Sequence, residues 1–171
     1  MNNGCNGKIL RGNLTSGEIG VDEPGEDFYR AYFGGWGFVA YYLLKEVPPG
    51  TDPLGPDNKL IFALGPLTGA AVAGAARNAV GGKSPLTDLF GETDVGGFWN
   101  AELKRAGYDA IIVEGKAEKP VYLWIHDGEV EIRDAQHLWG KTTEESQDMI
   151  REELGDDRVR TALIGLAGEN M

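Results

Sequence analysis

Apolar and polar positions alternate from Lys8 to Val21, KILRGNLTSGEIGV, around a Ser16-Gly17 step, and that period of two predicts a β-hairpin. The spacing then changes. Glu26 to Phe33 is helical in pattern, Gly34-Gly35-Trp36-Gly37 interrupts it, and Phe38 to Val47 resumes with Val39, Ala40, Leu43 and Leu44 on one face. Glycine costs about 1 kcal/mol in a helix interior, so two helices joined by a tight turn are expected rather than one. Pro48, Pro49, Pro53 and Pro56 impose an extended loop, after which Leu60 to Leu64 reads as a short buried strand. Further on, Phe98 to Arg105 is a helix stopped by Gly107, and Tyr108 to Glu114 an apolar strand. Pro120 to Ile132 is a second hairpin turning at Asp127-Gly128, and Thr143 to Leu154 an amphipathic helix capped by Thr142 or Thr143. Val159 to Ile164 is expected to be a strand that ends in GLAGEN.

The two ends of the chain repeat one order of parts: hairpin, helix, then an apolar strand breaking into glycines. ILRGNLTSGEI answers to YLWIHDGEVEI, and KLIFALGPLTG to RTALIGLAGEN. A duplicated unit with a pseudo-twofold axis explains this, and chance likeness between two common units is the alternative. Either way the expected class is α+β, a β-rich single domain over residues 1–171 built of two related hairpin-helix-strand halves. The chain stops at Met171 directly after its last glycine loop, so it is expected to belong to something longer.

Between Gly65 and Gly97 lie GPLTG, AARNAVGGKSPLTD and TDVGGFW, where bare backbone can bring amide groups up to a flat or phosphate-bearing ligand. Arg77 is the only cation between Lys59 and Lys83 and has small neighbours. Its planar fork suits a phosphate or a heteroaromatic edge, and a surface arginine bonding loop carbonyls fits equally well. Lys83 is expected to face solvent. Asp94, Gly96 and Gly97 precede the helix at Phe98, where free amides and the macrodipole favour an anion or a polar ring edge. Asp94 would repel phosphate there; it could cap the helix or accept from ring N–H groups of a pterin or purine. Trp36, Tyr41, Tyr42, Trp99, Trp124 and Trp139 could stack on a ligand, but most should be core. His126 and His137 have no second His or Cys at ligand spacing, so no metal is expected at either. No catalytic residue is assigned: nucleophile-elbow, dinucleotide and Walker patterns are absent, GGKSP failing the last because position 77 is Arg and Pro85 follows.

Composition narrows the partners. With 42% apolar residues in 171 the chain can build a core, and a net charge of -11 disfavours nucleic acid or an anionic membrane surface. No apolar run reaches the roughly 20 residues of a membrane span and the first residues lack a signal-peptide core, so a cytoplasmic protein is expected. Cys5, the single cysteine, cannot alone hold an iron–sulfur cluster or structural zinc.

Taken in order, GPLTG, ARN, KSPLT, the paired glycines and ELKRAGYDAIIVEGKAEKPVYLWI resemble the N-terminal domain of the tungsten-containing aldehyde ferredoxin oxidoreductase family, from GKILRGNLTSGEI through IGLAGEN. The resemblance implies a domain on which a bis-pterin cofactor bearing tungsten, or molybdenum, rests. By it, Arg77 would bond the pterin or its phosphate, and the backbone around Asp94, Gly96 and Gly97 would line its edge. It further implies a four-iron cluster held by cysteines outside this chain, oxidation of a small aldehyde to a carboxylic acid, and ferredoxin as electron acceptor, with the remaining domains of the same protein and possible homodimerisation completing the assembly. Two positions depart from the family pattern: Trp36 stands where an arginine is frequent, and Asp94 where an asparagine is common. The alternatives are a non-catalytic nucleotide-binding or docking module, and a same-family relative acting on another substrate such as an aromatic thioester or a hydroxy acid.

Overall fold

The computed structural model describes residues 4–170. The first hairpin forms as the alternation requires, β1 (Ile9–Asn13) pairing antiparallel with β2 (Glu18–Asp22). Helices α1 (Glu26–Tyr32) and α2 (Trp36–Glu46) are separate, as the glycines dictate. Gly34 sits at φ 108°, and a Cβ there would lie 2.3 Å from the Leu64 carbonyl oxygen. The turn is therefore pressed against the end of strand β3 (Lys59–Leu64), where the Gly35 amide donates to the same carbonyl.

Strands β4 (Asn78–Lys83) and β5 (Phe90–Val95) follow, then helix α3 (Phe98–Arg105) and strand β6 (Ala110–Glu114). They complete a six-stranded sheet in the order β2-β1-β6-β3-β4-β5, antiparallel except where β1 runs beside β6. Both faces of its centre are covered, which is why β3 and β6 read as apolar runs. Ile9, Ile61, Ala63, Ala110 and Ile112 face α2, packing on Phe38, Val39 and Tyr42. Leu10, Leu64 and Ile111 face the other way, toward Leu103 of α3 and toward Leu123, Ile125 and Val130 of a second hairpin, β7 (Val121–His126) with β8 (Glu129–Asp134). Helix α4 (Thr143–Leu154) closes a smaller cluster through Ile150, Ala135 and Leu138. Thr142 is its cap: the hydroxyl accepts from the Glu145 amide while the Glu145 carboxylate accepts from the Thr142 amide.

The expected strand at Val159–Ile164 does not form; the segment is irregular and leads into a short helix, α5 (Gly165–Glu169). A strand needs a neighbour for its backbone groups, and among the described residues none lies alongside this one. The likeness between the two ends accordingly extends to hairpin and helix and stops before the strand, with the second hairpin a sheet of its own. The chain is α+β and sheet-rich, as its sequence indicates, and no described helix is long and apolar enough to cross a membrane.

Candidate functional site

Two glycine-bearing stretches come together where β4 begins and β5 ends. Asn78 pairs with Val95 at the last rung of that ladder, so Arg77 and Gly96 are the next residues on either strand. Two buried polar side chains hold the junction. Thr68, from the GPLTG turn, accepts from the Gly65 amide at 3.0 Å and donates to the Arg77 carbonyl at 2.8 Å. Asn100, 1% exposed in the first turn of α3, donates from one amide nitrogen to the carbonyls of Ala76 and Val95, each at 2.9 Å. Sequence reasoning singled out neither residue, although an asparagine three positions past a glycine pair is the spacing that reaches back to both loops.

Beside this junction is a cleft of about 520 Å³, within the size range of small-molecule and cofactor sites. Asn78, Thr93, Val95, Gly96, Gly97 and Phe98 line one wall, and residues 160–164 the other, with the Arg160 guanidinium 4.9 Å from the centre of the Phe98 ring. Asn78 is 3% exposed and its Oδ1 has no partner among the described residues. Gly97 sits at φ 116° as the residue before α3, and a Cβ on it would meet nothing within 4 Å. No side chain caps α3, so the capping role open to Asp94 is not taken and the first amides of the helix stay available.

The expected site residues divide by strand parity. Gly96 and Gly97 line the cleft, whereas Asp94 lies outside its lining: along β5, Thr93 and Val95 point into the cleft and Asp94 to the opposite face with Glu92. Arg77 is exposed, next to the cleft and outside its lining. On the Asp94 face, burial and then the neighbouring Asp94 charge push the Glu92 carboxyl above its ordinary range, and Glu92 Oε1 is buried without a partner. Lys83, expected in solvent, instead reaches the Thr51 carbonyl at 2.6 Å and Asp88 at 2.7 Å, because two loops place acceptors within reach of its ammonium. Of the aromatics, Tyr42 is core and Trp36 is 59% exposed.

Residues 9–171 match the family described as aldehyde ferredoxin oxidoreductase, N-terminal domain. A tungsten-containing aldehyde ferredoxin oxidoreductase of Pyrococcus furiosus is 51% identical over 96% of the chain and 27% of its own length. A protein of the same description from Pyrococcus abyssi is 53% identical over the same shares, and the WOR-like subunit of an aliphatic sulfonate oxidoreductase of Pyrococcus furiosus is 37% identical. Among solved structures, the active site complex BamBC of benzoyl coenzyme A reductase with 1,5-dienoyl-CoA superposes with a TM-score of 0.96 at 44% identity, over 99% of this chain and 26% of that one. The chain thus spans about a quarter of the length of the relatives it matches. With the match running from Ile9 across nearly every element just described, the chain belongs to the aldehyde ferredoxin oxidoreductase family, as its N-terminal domain.

Proposed function

We propose that this domain seats a tungsten-bearing bis-pterin cofactor for an enzyme that oxidises an aldehyde to a carboxylic acid. The observation that carries the reading is the Asn100 staple, which draws the Arg77 end of one loop and the Gly96-Gly97 end of another to a single place. A polar heterocycle fits the groups found there: an unpartnered buried acceptor on Asn78, uncapped amides at the start of α3, and open space over Gly97. In this arrangement Arg77, beside the cleft, donates to the pterin or its phosphate and the Gly96 and Gly97 amides meet its edge, while Asp94, turned to the other face of β5, does not reach a ring seated in the cleft.

When bound, the metal–pterin group supplies the two-electron chemistry that turns aldehyde and water into acid, two protons and two electrons. The domain's own residues orient that group and set its electrostatics. A four-iron cluster would pass the electrons to ferredoxin, and with a single cysteine this chain leaves that cluster to other domains.

The test is the purified protein from a host that makes the cofactor, with tungsten, molybdenum and pterin counted and aldehyde-dependent dye reduction measured. Arg77→Ala is expected to lower metal and pterin together, by roughly 10- to 150-fold in affinity if one charge-assisted bond of about 1.5–3 kcal/mol is lost. Wild-type protein containing neither metal would overturn the reading. A second reading, reduction of an aromatic thioester, is favoured by the 44% identical benzoyl coenzyme A reductase complex. Thioester-dependent oxidation of a reduced dye without aldehyde activity would select it.

A further inference from the structure

The sequence HDGEVE crosses the turn between β7 and β8. Asp127 and Gly128 have φ of 46° and 85°, the left-handed pair that a two-residue hairpin loop requires, and this sets His126 opposite Glu129. Residues two apart on a strand share a face, so Glu131 follows Glu129 on the same side. That side is the outer one, since Leu123, Ile125 and Val130 occupy the face turned to the core. The register alone therefore gathers one imidazole and two carboxylates at the outer tip of the hairpin.

We propose that this tip binds a divalent transition-metal ion through His126, Glu129 and Glu131. His126 Nε2 lies 3.8 Å from Glu129 Oε2 and 4.0 Å from Glu131 Oε1, and the three ligand atoms all fall within 4.8 Å of one another. Those gaps are too long for hydrogen bonds. They are slightly wider than the spacing of about 3–3.5 Å that ligands take when each sits about 2.0–2.2 Å from one zinc ion, so small side-chain rotations close the site.

The surroundings hold the ligands in readiness. Trp124 stacks on the His126 ring at 5.0 Å between centroids and 24° between planes, which fixes the imidazole. Arg133 donates to Glu131 Oε2 at 2.8 Å, leaving Oε1 turned toward His126, and its guanidinium also rests 5.9 Å from the centre of the Trp124 ring. On the far side of the imidazole, Nδ1 lies 4.0 Å from Asp127 Oδ2, beyond hydrogen-bond reach, so Nε2 is the nitrogen turned to the two carboxylates. One imidazole with two carboxylates and open positions suits zinc, nickel or cobalt better than calcium or magnesium. The ion would join β7 to β8 across their turn, in a two-stranded sheet of a kind that is marginal unaided.

Equilibrium dialysis of the purified protein against buffered Zn²⁺ tests this, with far-UV circular dichroism showing that each variant is folded. Wild-type protein is expected to retain one more zinc per chain than His126→Ala, and Glu131→Gln to bind that ion at least about tenfold more weakly. Glu144→Gln, on α4, should match wild type. In parallel, Zn²⁺ should protect His126, and spare little of His137, from diethyl pyrocarbonate as mapped by mass spectrometry. Equal zinc in wild type and His126→Ala, or an unchanged rate of His126 modification, would overturn the proposal.

Discussion

Asn100 holds the candidate site together because one buried amide donates to carbonyls of two chain segments, at the end of the β4–β5 ladder. Removing it takes the donor from the half-buried Ala76 and Val95 carbonyls, and each acceptor left without it costs on the order of 1 kcal/mol. Asn100→Ala is therefore expected to lower the unfolding free energy by about 2 kcal/mol or more in urea denaturation. Asn100→Asp separates this account from simple cavity formation. The aspartate keeps the shape but has no N–H, and sets its own oxygens against two carbonyls, so it should destabilise at least as much as alanine. An aspartate variant as stable as wild type would show that the two bonds carry no weight. The glycines on either side were conspicuous in the sequence, and Arg77 was the only cation between Lys59 and Lys83, but the residue that orders them was not. A polar side chain in the first turn of a short helix reads as surface, and only the fold turns Asn100 inward beside Ala101 and Leu103.

Among the elements, those whose periodicity is complete within one segment were legible: the first hairpin, the split between α1 and α2, and α4 with its cap. Strands β4 and β5 were not, because NAVGGK and FGETDV are poor in the β-branched and aromatic residues that favour strands. Their glycines serve packing instead. A Cβ on Gly81 would lie 2.4 Å from Val39 Cγ1, so the bare position is what lets α2 lie close upon the sheet. Val159–Ile164 failed in the opposite sense, having strand composition without a strand beside it. For α4, where sequence and structure agree, Thr142→Ala removes the hydroxyl that accepts from the Glu145 amide, a loss of about 1 kcal/mol. The variant should exchange the first amides of α4 faster while β1 and β6 stay protected, and Thr142→Ser should restore them. Uniform loss of protection throughout the protein would place the effect elsewhere.

Across the whole molecule, one network of half-buried charges ties the end of the large sheet to α2. Arg11 on β1 donates to both oxygens of Glu46, at 2.9 and 2.7 Å, and to Asp22 on β2 at 2.6 Å. Lys59 on β3 joins Glu46 at 3.4 Å and bonds Glu114 on β6. Burial alone would raise the Glu46 carboxyl; the paired bonds from Arg11, with Lys59 behind them, override it and hold the group below its ordinary range. A carboxyl depressed in the folded state releases its proton more readily there than in the unfolded chain, so it stabilises the fold above the unfolded value of about 4.3. That contribution is lost as pH falls through the lower, folded value. Acid also discharges many other carboxylates on a chain of net charge -11, which relieves self-repulsion and shifts stability the other way. The stability of wild type against pH therefore mixes both effects, whereas its difference from Glu46→Gln isolates the network. That difference should favour wild type at neutral pH and shrink steadily once the pH drops below the ordinary carboxylate range. A gap that stays constant down to the most acid pH at which both proteins remain folded would mean that Glu46 is held no lower than in the unfolded chain, and that the network orders the sheet edge without adding to its stability.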